Sequence, residues 1–166
     1  MRPAPLVVKL GGALLDDAAQ FPQVFDALAR MHQLHAGGLV IVHGGGKAVD
    51  RQLERVGLHT ERREGIRITP PEAVEQVTAV LAGAMNTQLL GLLLSRGVSA
   101  VGLTLSDGHL SRAIKTQRFT FDPGRVGELV GGDGALVHHL LSGGFLPVLS
   151  SIAVCEAGGF LNVNAD

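Results

Sequence analysis

The sequence contains a single cysteine, Cys155, among its 166 residues. One thiol cannot form an intramolecular disulfide, which excludes the small secreted domains that depend on disulfides for stability. The N-terminal residues pass directly into a short apolar run instead of the longer run of a signal peptide. We therefore expect a soluble, cytoplasmic protein.

An excess of charge of one sign is also lacking. The formal net charge is -1 and no long run of lysine and arginine occurs, which argues against nucleic acid or an anionic membrane as the main partner. The longest nearly uninterrupted apolar stretch, residues 89–94, is too short to span a bilayer. We expect no transmembrane segment, and a small molecule as the ligand.

The chain has enough apolar residues for one globular domain, because 46% of its residues are hydrophobic and 17% are charged. Strand-length apolar runs occur at residues 6–10, 39–43, 99–105 and 145–151. Helix-like patterns occur at residues 21–36, 47–56, 70–96 and 135–141. Strands that are apolar on both faces and alternate with helices predict an α/β fold, in which helices cover both faces of an open, mainly parallel sheet.

Local signals add detail to the longest helix and to the segments between elements. Thr69, Pro70 and Glu72 have the spacing of a capping box, with Thr69 as N-cap and Pro70 as the first helical residue. Residues 61–69 and 109–122 are each typical of a two-stranded β-hairpin around a polar turn. We expect both hairpins to project from the sheet.

Glycines follow the first two predicted strands. Gly11 and Gly12 come after the first strand, and residues 44–46 come after the second. They match neither the P-loop nor the dinucleotide fingerprint, where Val49 stands in place of a third small residue. Ligands of open α/β sheets lie at the carboxyl ends of the strands, where unpaired N–H groups of a helix start are open to an anion. The glycines therefore predict an anion site, and tight turns alone are the alternative.

Three further positions have side chains suited to anions or polar ligands. Lys9 interrupts an apolar strand, and a buried lysine is costly unless it is paired or directed at an anion; the alternative is an edge lysine that reaches solvent. The guanidinium of Arg67 suits a carboxylate, although its position alone does not distinguish it from a solvated charge. His43, at the mouth of the second glycine loop, contacts ligand or makes a structural hydrogen bond.

The last residues alternate polar and apolar side chains. A strand here would place Asn162, Asn164 and Asp166 on one face, where the amides could bind substrate and the carboxylate could orient lysines or a metal. An ordinary exposed face is the alternative. The histidines lack the spacing of a metal site, and no metal ligand is assigned.

Seven separated segments resemble the N-acetyl-L-glutamate kinases of the amino acid kinase family. The segments are VVKLGGALLDD, VIVHGGGKAVD, EGIRIT, AVGLTLSDG, GRVGELV, FLPVLSSIAV and LNVNAD. The resemblance covers essentially the whole chain and implies the αβα sandwich of this family. It also implies transfer of the γ-phosphoryl group of ATP, with Mg²⁺, to the side-chain carboxylate of N-acetyl-L-glutamate, the second step of arginine biosynthesis.

The resemblance also assigns roles to the residues around the phosphates. Lys9 would hold the transferring phosphoryl group, and Gly11 and Gly12 would donate to the nucleotide phosphates. Gly44 and Gly45 would bind the transferring group and the substrate through their N–H groups.

Three more residues complete the site that the resemblance implies. Arg67 would hold the α-carboxylate of the substrate, Asn162 would bind substrate, and Asp166 would orient catalytic lysines. This division agrees with the chemistry, since a side-chain carboxylate has a pKa of about 4 and is already an ionised nucleophile at neutral pH. The reaction needs no general base, but it needs donors and cations between two anions.

The relatives also suggest how the chain is organised. They continue beyond LNVNAD into a nucleotide lobe, so we expect residues 1–166 to be an N-terminal, substrate-binding and dimerisation lobe that is inactive alone. We expect a homodimer without arginine inhibition, with helix 70–96 as its interface. The alternatives are an amino acid kinase with another acceptor, such as aminoadipate, aspartate or carbamate, and a non-catalytic small-anion-binding module.

Overall fold

The computed structural model describes residues 3–166. Its strands are β1 Leu6–Leu10, β2 Leu39–His43, β3 Arg62–Arg63, β4 Ile66–Arg67, β5 Ala100–Leu103, β6 Arg112–Lys115, β7 Val126–Gly131, β8 Leu146–Ser150, β9 Ile152–Val154 and β10 Phe160–Val163. Its α-helices are α1 Gly12–Asp16, α2 Pro22–Leu34, α3 Gly46–Arg55, α4 Pro71–Thr78, α5 Asn86–Leu94 and α6 Ala135–Ser142. A π-helical stretch, Ala79–Met85, joins α4 to α5, so that one helix runs from Pro71 to Leu94.

The central sheet confirms the predicted α/β fold. Its four strands are all parallel and lie in the order β1, β2, β8, β5. Strand β2 is central, and its residues alternate between two cores. Leu39 and Ile41 face the larger core with Phe25 of α2, whereas Val40 faces a smaller core on the opposite side of the sheet. Burial of both faces explains why β2 is apolar throughout.

Strand β1 is an edge strand, and the expectation that Lys9 lies in a buried strand is wrong. In the described part of the chain β1 pairs only with β2, and its residues Leu6 and Val7 are exposed. The Lys9 side chain is 42% exposed. Its charge is therefore solvated in part, and burial alone gives no reason for a functional role.

A second sheet replaces the hairpin predicted over residues 109–122. Strand β6 pairs with β7 rather than with residues 116–122, which belong to the connection between the two strands. Strand β7 also pairs with β10, so that the sheet order is β6, β7, β10, β9. The hairpin prediction was wrong because strand β7, which begins at the buried residue Val126, lies beyond residues 109–122. This sheet covers the smaller core.

The hairpin predicted over residues 61–69 is confirmed. Strands β3 and β4 are antiparallel, and Glu64 and Gly65 between them both have positive φ, at 51° and 81°. Two such residues form the tight turn that matches the twist of a hairpin.

The long helix begins one residue later than predicted, and Thr69 does not cap it. Pro70 flanks the helix and Pro71 is its first residue, without a side-chain cap. The Thr69 hydroxyl donates instead to the carbonyl of Arg67, at 3.0 Å, and accepts a hydrogen bond from the Asn162 amide. Its backbone bridges to Gly124. These tertiary contacts replace the capping box.

The continuous helix Pro71–Leu94 is long and apolar enough to cross a membrane by length and composition, which residues 89–94 alone did not indicate. The same composition is typical of a core helix, and Val77, Leu89 and Leu93 are fully buried in the larger core. Only 39% of its most apolar window is buried, however. The expectation that the protein has no transmembrane segment stays a prediction.

Helix α5 approaches β5 closely because Gly102 has no side chain. A Cβ at Gly102 would lie 2.0 Å from the Asn86 Oδ1 atom and 3.0 Å from the Leu90 Cδ1 atom. We expect Gly102→Ala to lower the free energy of unfolding by about 1–3 kcal/mol, since overpacking forces the helix and the strand apart.

The matched control is Gly91→Ala on the exposed face of the same helix, where a Cβ meets no atom within 4 Å. This substitution should raise the free energy of unfolding by up to about 1 kcal/mol, because alanine has the higher helix propensity. Urea unfolding measures both values. Equal effects of the two substitutions would contradict the close contact between α5 and β5.

Candidate functional site

A cavity of about 250 Å³ lies at the carboxyl ends of β1, β2 and β8. Seven of the eight residues to which the resemblance assigns roles line it, namely Lys9, Gly12, Gly44, Gly45, Arg67, Asn162 and Asp166. Gly11, which was also predicted to bind phosphate, is not among the lining residues. The position agrees with the rule that ligands of open α/β sheets bind beyond the carboxyl ends of the strands.

The two glycine loops touch each other and the long helix. A Cβ at Gly12 would lie 2.9 Å from the backbone nitrogen of Gly46. A Cβ at Gly45 would lie 2.0 Å from the Met85 Sδ atom and 2.9 Å from the Leu81 Cδ2 atom. Gly45 has extended backbone, with φ of 177°. Position 45 therefore requires glycine because of close packing, and not because of a tight turn.

Lys9 and Asp166 form an ion pair at the mouth of the cavity. The Lys9 Nζ atom lies 2.5 Å from the Asp166 Oδ1 atom, and the side chains are 42% and 68% exposed. An ion pair this exposed contributes little to stability. It nevertheless holds the ammonium group at the cavity, where both residues lie among the lining side chains.

Arg67 is buried, with 6% of its surface exposed. Its guanidinium donates to the Thr60 hydroxyl at 2.7 Å and to the Gly46 carbonyl at 3.0 Å, and it pairs with the carboxylate of Asp50. Burial lowers the pKa of Arg67, and Asp50 opposes this shift. Because guanidinium groups keep their proton in proteins, the cavity contains a fixed, oriented positive charge.

Several residues of the site were not predicted from the sequence. Asp50 on α3 forms ion pairs with Arg67 and Arg62. Arg62 itself lines the cavity. Ser151 also lines it and directly follows β8. The topological rule would have indicated Ser151 once β8 was known to lie beside β2. Asp50 had no signal in the sequence, because its role depends on the fold of the hairpin opposite.

The polar residues at the end of the chain do not share one strand face. Strand β10 ends at Val163, so Asn164 and Asp166 lie beyond it, and the prediction of a common face was wrong. Asn162 lies within the strand and donates to the Thr69 hydroxyl at 3.1 Å. All three polar residues still line the cavity, because the chain turns along its wall after β10.

His43 is fully buried and makes structural hydrogen bonds, which decides between the two interpretations of this residue. Its Nδ1 atom lies 3.1 Å from the Gly44 carbonyl oxygen, and its Nε2 atom lies 3.1 Å from the Asn86 amide nitrogen. His43 is not among the residues that line the cavity. Within residues 3–166, the structure contains no group of three or more histidine, cysteine, aspartate or glutamate residues that could hold a metal ion.

Comparison with known proteins gives the family. The sequence profile of the amino acid kinase family matches residues 4–166. The chain belongs to the amino acid kinase family. Over almost its whole length, the chain is also similar to curated acetylglutamate kinases.

Two such relatives come from Moritella profunda and Actinobacillus succinogenes. Each is 43% identical to this chain, over 162 and 164 residues respectively. The matches cover 98% of this chain but 60% and 62% of the relatives. The chain therefore spans about three fifths of the length of the curated relatives that it matches.

Solved structures share the fold of this chain. The smu.665 protein from Streptococcus mutans UA159 has a TM-score of 0.76 and 26% identity, covering 97% of this chain and 64% of that protein. N-acetylglutamate synthase from Neisseria gonorrhoeae, solved with coenzyme A and N-acetyl-glutamate, has a TM-score of 0.81 at 21% identity. It covers 99% of this chain and 37% of that protein, and it supports the fold alone.

The buried imidazole predicts a pH dependence of stability. Burial lowers the pKa of His43 below its ordinary value of 6.5, and the bond to the Gly44 carbonyl opposes this by less. Below pH 6.5 the unfolded chain therefore binds a proton that the native chain does not. The free energy of unfolding should fall as the pH drops below that value, by up to about 1.4 kcal/mol per pH unit.

Two measurements check this expectation. An NMR titration of the native protein should show that the His43 ring is still neutral at pH 6.5. Urea unfolding between pH 7.5 and 5.5 should show that His43→Gln lacks part of the pH dependence of the wild-type chain. A native His43 that titrates at or above its ordinary value would contradict the role of burial.

Proposed function

We propose that the protein transfers the γ-phosphoryl group of ATP to the side-chain carboxylate of N-acetyl-L-glutamate, and that the cavity described above binds the acceptor. One observation carries the proposal: Lys9, the glycine loop and the buried Arg67 line a single cavity in a chain that is 43% identical to acetylglutamate kinases. Each of these groups suits an anion, and the reaction brings two anions together.

The chemistry agrees with the groups present. A side-chain carboxylate is ionised at neutral pH and attacks phosphorus without a general base. The protein must instead reduce the repulsion between the carboxylate and the phosphoryl group, which is a task for cations and backbone donors. Lys9 and the glycine N–H groups serve the phosphoryl side, whereas Arg67 and Asn162 serve the acceptor side.

ATP supplies the phosphoryl group and brings Mg²⁺ with it. The residues that fit its phosphates are Lys9, whose ammonium group lies at the cavity mouth, and Gly12, whose bare backbone lines the same wall. In the described structure the Lys9 ammonium pairs with Asp166. We propose that Asp166 orients Lys9 and that the Nζ atom donates to the transferring group when phosphate is present.

The remaining parts of the proposal concern the whole protein. We propose a cytoplasmic homodimer whose interface includes the helix Pro71–Leu94. The exposure of Leu94, at 56%, leaves an apolar side chain at the end of this helix that a second subunit could cover. Such a position is consistent with an interface at the apolar end of α5.

The acceptor can be identified by calorimetric titration with N-acetyl-L-glutamate, L-glutamate and L-aspartate. We expect N-acetyl-L-glutamate to bind most tightly, because the proposed site holds its α-carboxylate at Arg67 and its other polar groups near Asn162. Equal affinity for the three compounds would contradict this acceptor. It would favour an amino acid kinase with another substrate or a small-anion-binding module.

Substitutions separate the two sides of the site. We expect Arg67→Ala to weaken N-acetyl-L-glutamate binding by about 10-fold to 100-fold, because it removes a charged hydrogen-bonding partner. Lys9→Ala should change this affinity by less than about 3-fold but should abolish most formation of the acyl phosphate. Calorimetry measures the first effect, and a hydroxamate assay with ATP and Mg²⁺ measures the second in the full-length enzyme.

The matched control is Lys115→Ala. Lys115 forms an ion pair with Asp122 at 2.9 Å, and its side chain is 49% exposed, so it resembles Lys9 except that it lies outside the cavity. This substitution should change neither measurement. The reverse pattern for Lys9 and Arg67 would show that the phosphoryl and acceptor positions are assigned the wrong way round.

A further inference from the structure

We propose that His43 is a positioning residue for the glycine loop. Its imidazole, held by Asn86, fixes the peptide between Gly44 and Gly45 so that the Gly45 N–H group is directed into the cavity. The inference rests on the proposed function only for the identity of the ligand that this N–H group meets.

The hydrogen bonds of Asn86 determine which nitrogen of His43 carries the proton. The Asn86 amide nitrogen lies 3.1 Å from the Val148 carbonyl oxygen, which can only accept, so the amide nitrogen rather than its oxygen faces this side. The same nitrogen lies 3.1 Å from the His43 Nε2 atom, which must then accept as well. The proton of a neutral ring is therefore on Nδ1, which donates to the Gly44 carbonyl at 3.1 Å.

The direction of the Gly45 N–H group follows from this bond. In a trans peptide the carbonyl oxygen and the next N–H group point in opposite directions. Because His43 draws the Gly44 carbonyl toward the buried side of the loop, the Gly45 N–H group points away from that side. Gly45 is buried and lines the cavity, and its N–H group has no hydrogen-bond partner among residues 3–166.

A buried N–H group without a partner is costly, and native structures rarely retain one without a reason. This N–H group lies at the wall of a cavity lined by positively charged side chains. An oxygen of a bound anion would accept its hydrogen bond and so explain why the group has no partner in the protein. An oriented donor binds such an oxygen better than a mobile one, because it loses less conformational freedom on binding. Close packing does not fix the position of Gly44, since a Cβ there would meet only the Ala165 Cβ atom, at 3.7 Å.

The fold holds Asn86 in place from three directions. Asn86 is the first residue of α5, directly after the π-helical stretch, and it is 4% exposed. Its amide bonds the carbonyl of Val148 in β8, and Gly102 in β5 leaves room for its oxygen. The glycine loop is thus connected through His43 and Asn86 to the centre of the parallel sheet.

Two substitutions at His43 separate its two hydrogen bonds. The amide nitrogen of asparagine lies as many bonds from Cα as Nδ1 does, so His43→Asn keeps a donor for the Gly44 carbonyl and loses the contact with Asn86. The amide oxygen of glutamine lies as many bonds from Cα as Nε2 does and accepts a hydrogen bond as Nε2 does, so His43→Gln keeps an acceptor for the Asn86 amide and loses the donor to Gly44. Both substitutions remove the ring and its packing.

The readouts are calorimetric affinity for N-acetyl-L-glutamate and the NMR amide resonance of Gly45. We expect His43→Gln to weaken binding about 10-fold and to shift the Gly45 resonance. His43→Asn should bind within about 3-fold of the wild type and leave the resonance near its original position. His35→Gln is the control, because His35 also bonds a backbone carbonyl, that of Ala4 at 2.9 Å, but lies outside the cavity.

Several outcomes would overturn the proposal. Folded variants that both bind like the wild type, or that both lose affinity equally, would show that the bond to Gly44 does not position the loop. If the wild type does not bind N-acetyl-L-glutamate, the proposed function fails, and the Gly45 resonance alone decides: a shift in His43→Gln but not in His43→Asn supports positioning.

A measurement on the wild-type protein keeps the proposal testable if neither variant folds. A long-range ¹H–¹⁵N spectrum of the imidazole reports which nitrogen carries the proton. We expect the proton of His43 on Nδ1. A proton on Nε2 would remove the donor to the Gly44 carbonyl and would overturn the inference.

Discussion

The contact between the glycine loop and the long helix is the constraint on which the site depends. Gly45 lies against Met85 and Leu81 so closely that a methyl group there would overlap the Met85 sulfur atom. The two loops also approach each other, since a Cβ at Gly12 would lie 2.9 Å from the backbone nitrogen of Gly46. Because no side chain separates these backbones, the first turn of α3, the end of β1 and the π-helical stretch converge on one cavity. A larger residue at any of these positions would hold them apart.

Polar groups buried beneath this contact connect the core to the site. Asn86 bonds both the central sheet and His43, and His43 bonds the loop. Arg67 forms a comparable connection on the opposite wall, where it bonds the Gly46 carbonyl and pairs with Asp50. Such groups are stable in an apolar interior only when their hydrogen bonds are satisfied, so each network admits few alternative arrangements. The backbone donors of the loop are oriented before any ligand arrives.

Much of the fold was predictable, because the apolar residues of its main strands and helices recur at the spacing of the buried positions. Strand β2 is apolar on both faces and was predicted within its observed bounds, 39–43. The failures occurred where local pattern and tertiary contact compete. Thr69 has the residue type and spacing of an N-cap, but its hydroxyl is engaged by the Arg67 carbonyl and the Asn162 amide. Lys9 occupies an apolar strand, but that strand lies at the edge of the sheet, where solvent reaches it.

The sequence by itself determined the α/β class, the two glycine loops and the kinds of side chain available to an anion, because hydrophobic periodicity and residue chemistry are local properties. Strand order and the pairing of residues distant in the chain were decided only by the tertiary structure. The parallel order β1, β2, β8, β5 brings Ser151 beside the glycine loop, and the return of the chain brings Asp166 to Lys9. His43 shows the division most clearly: its place after a buried strand was evident, but its partner Asn86 lies on a helix whose register depends on the intervening π-helical stretch. Such a partnership depends on packing among several elements, and no single segment of the chain encodes it.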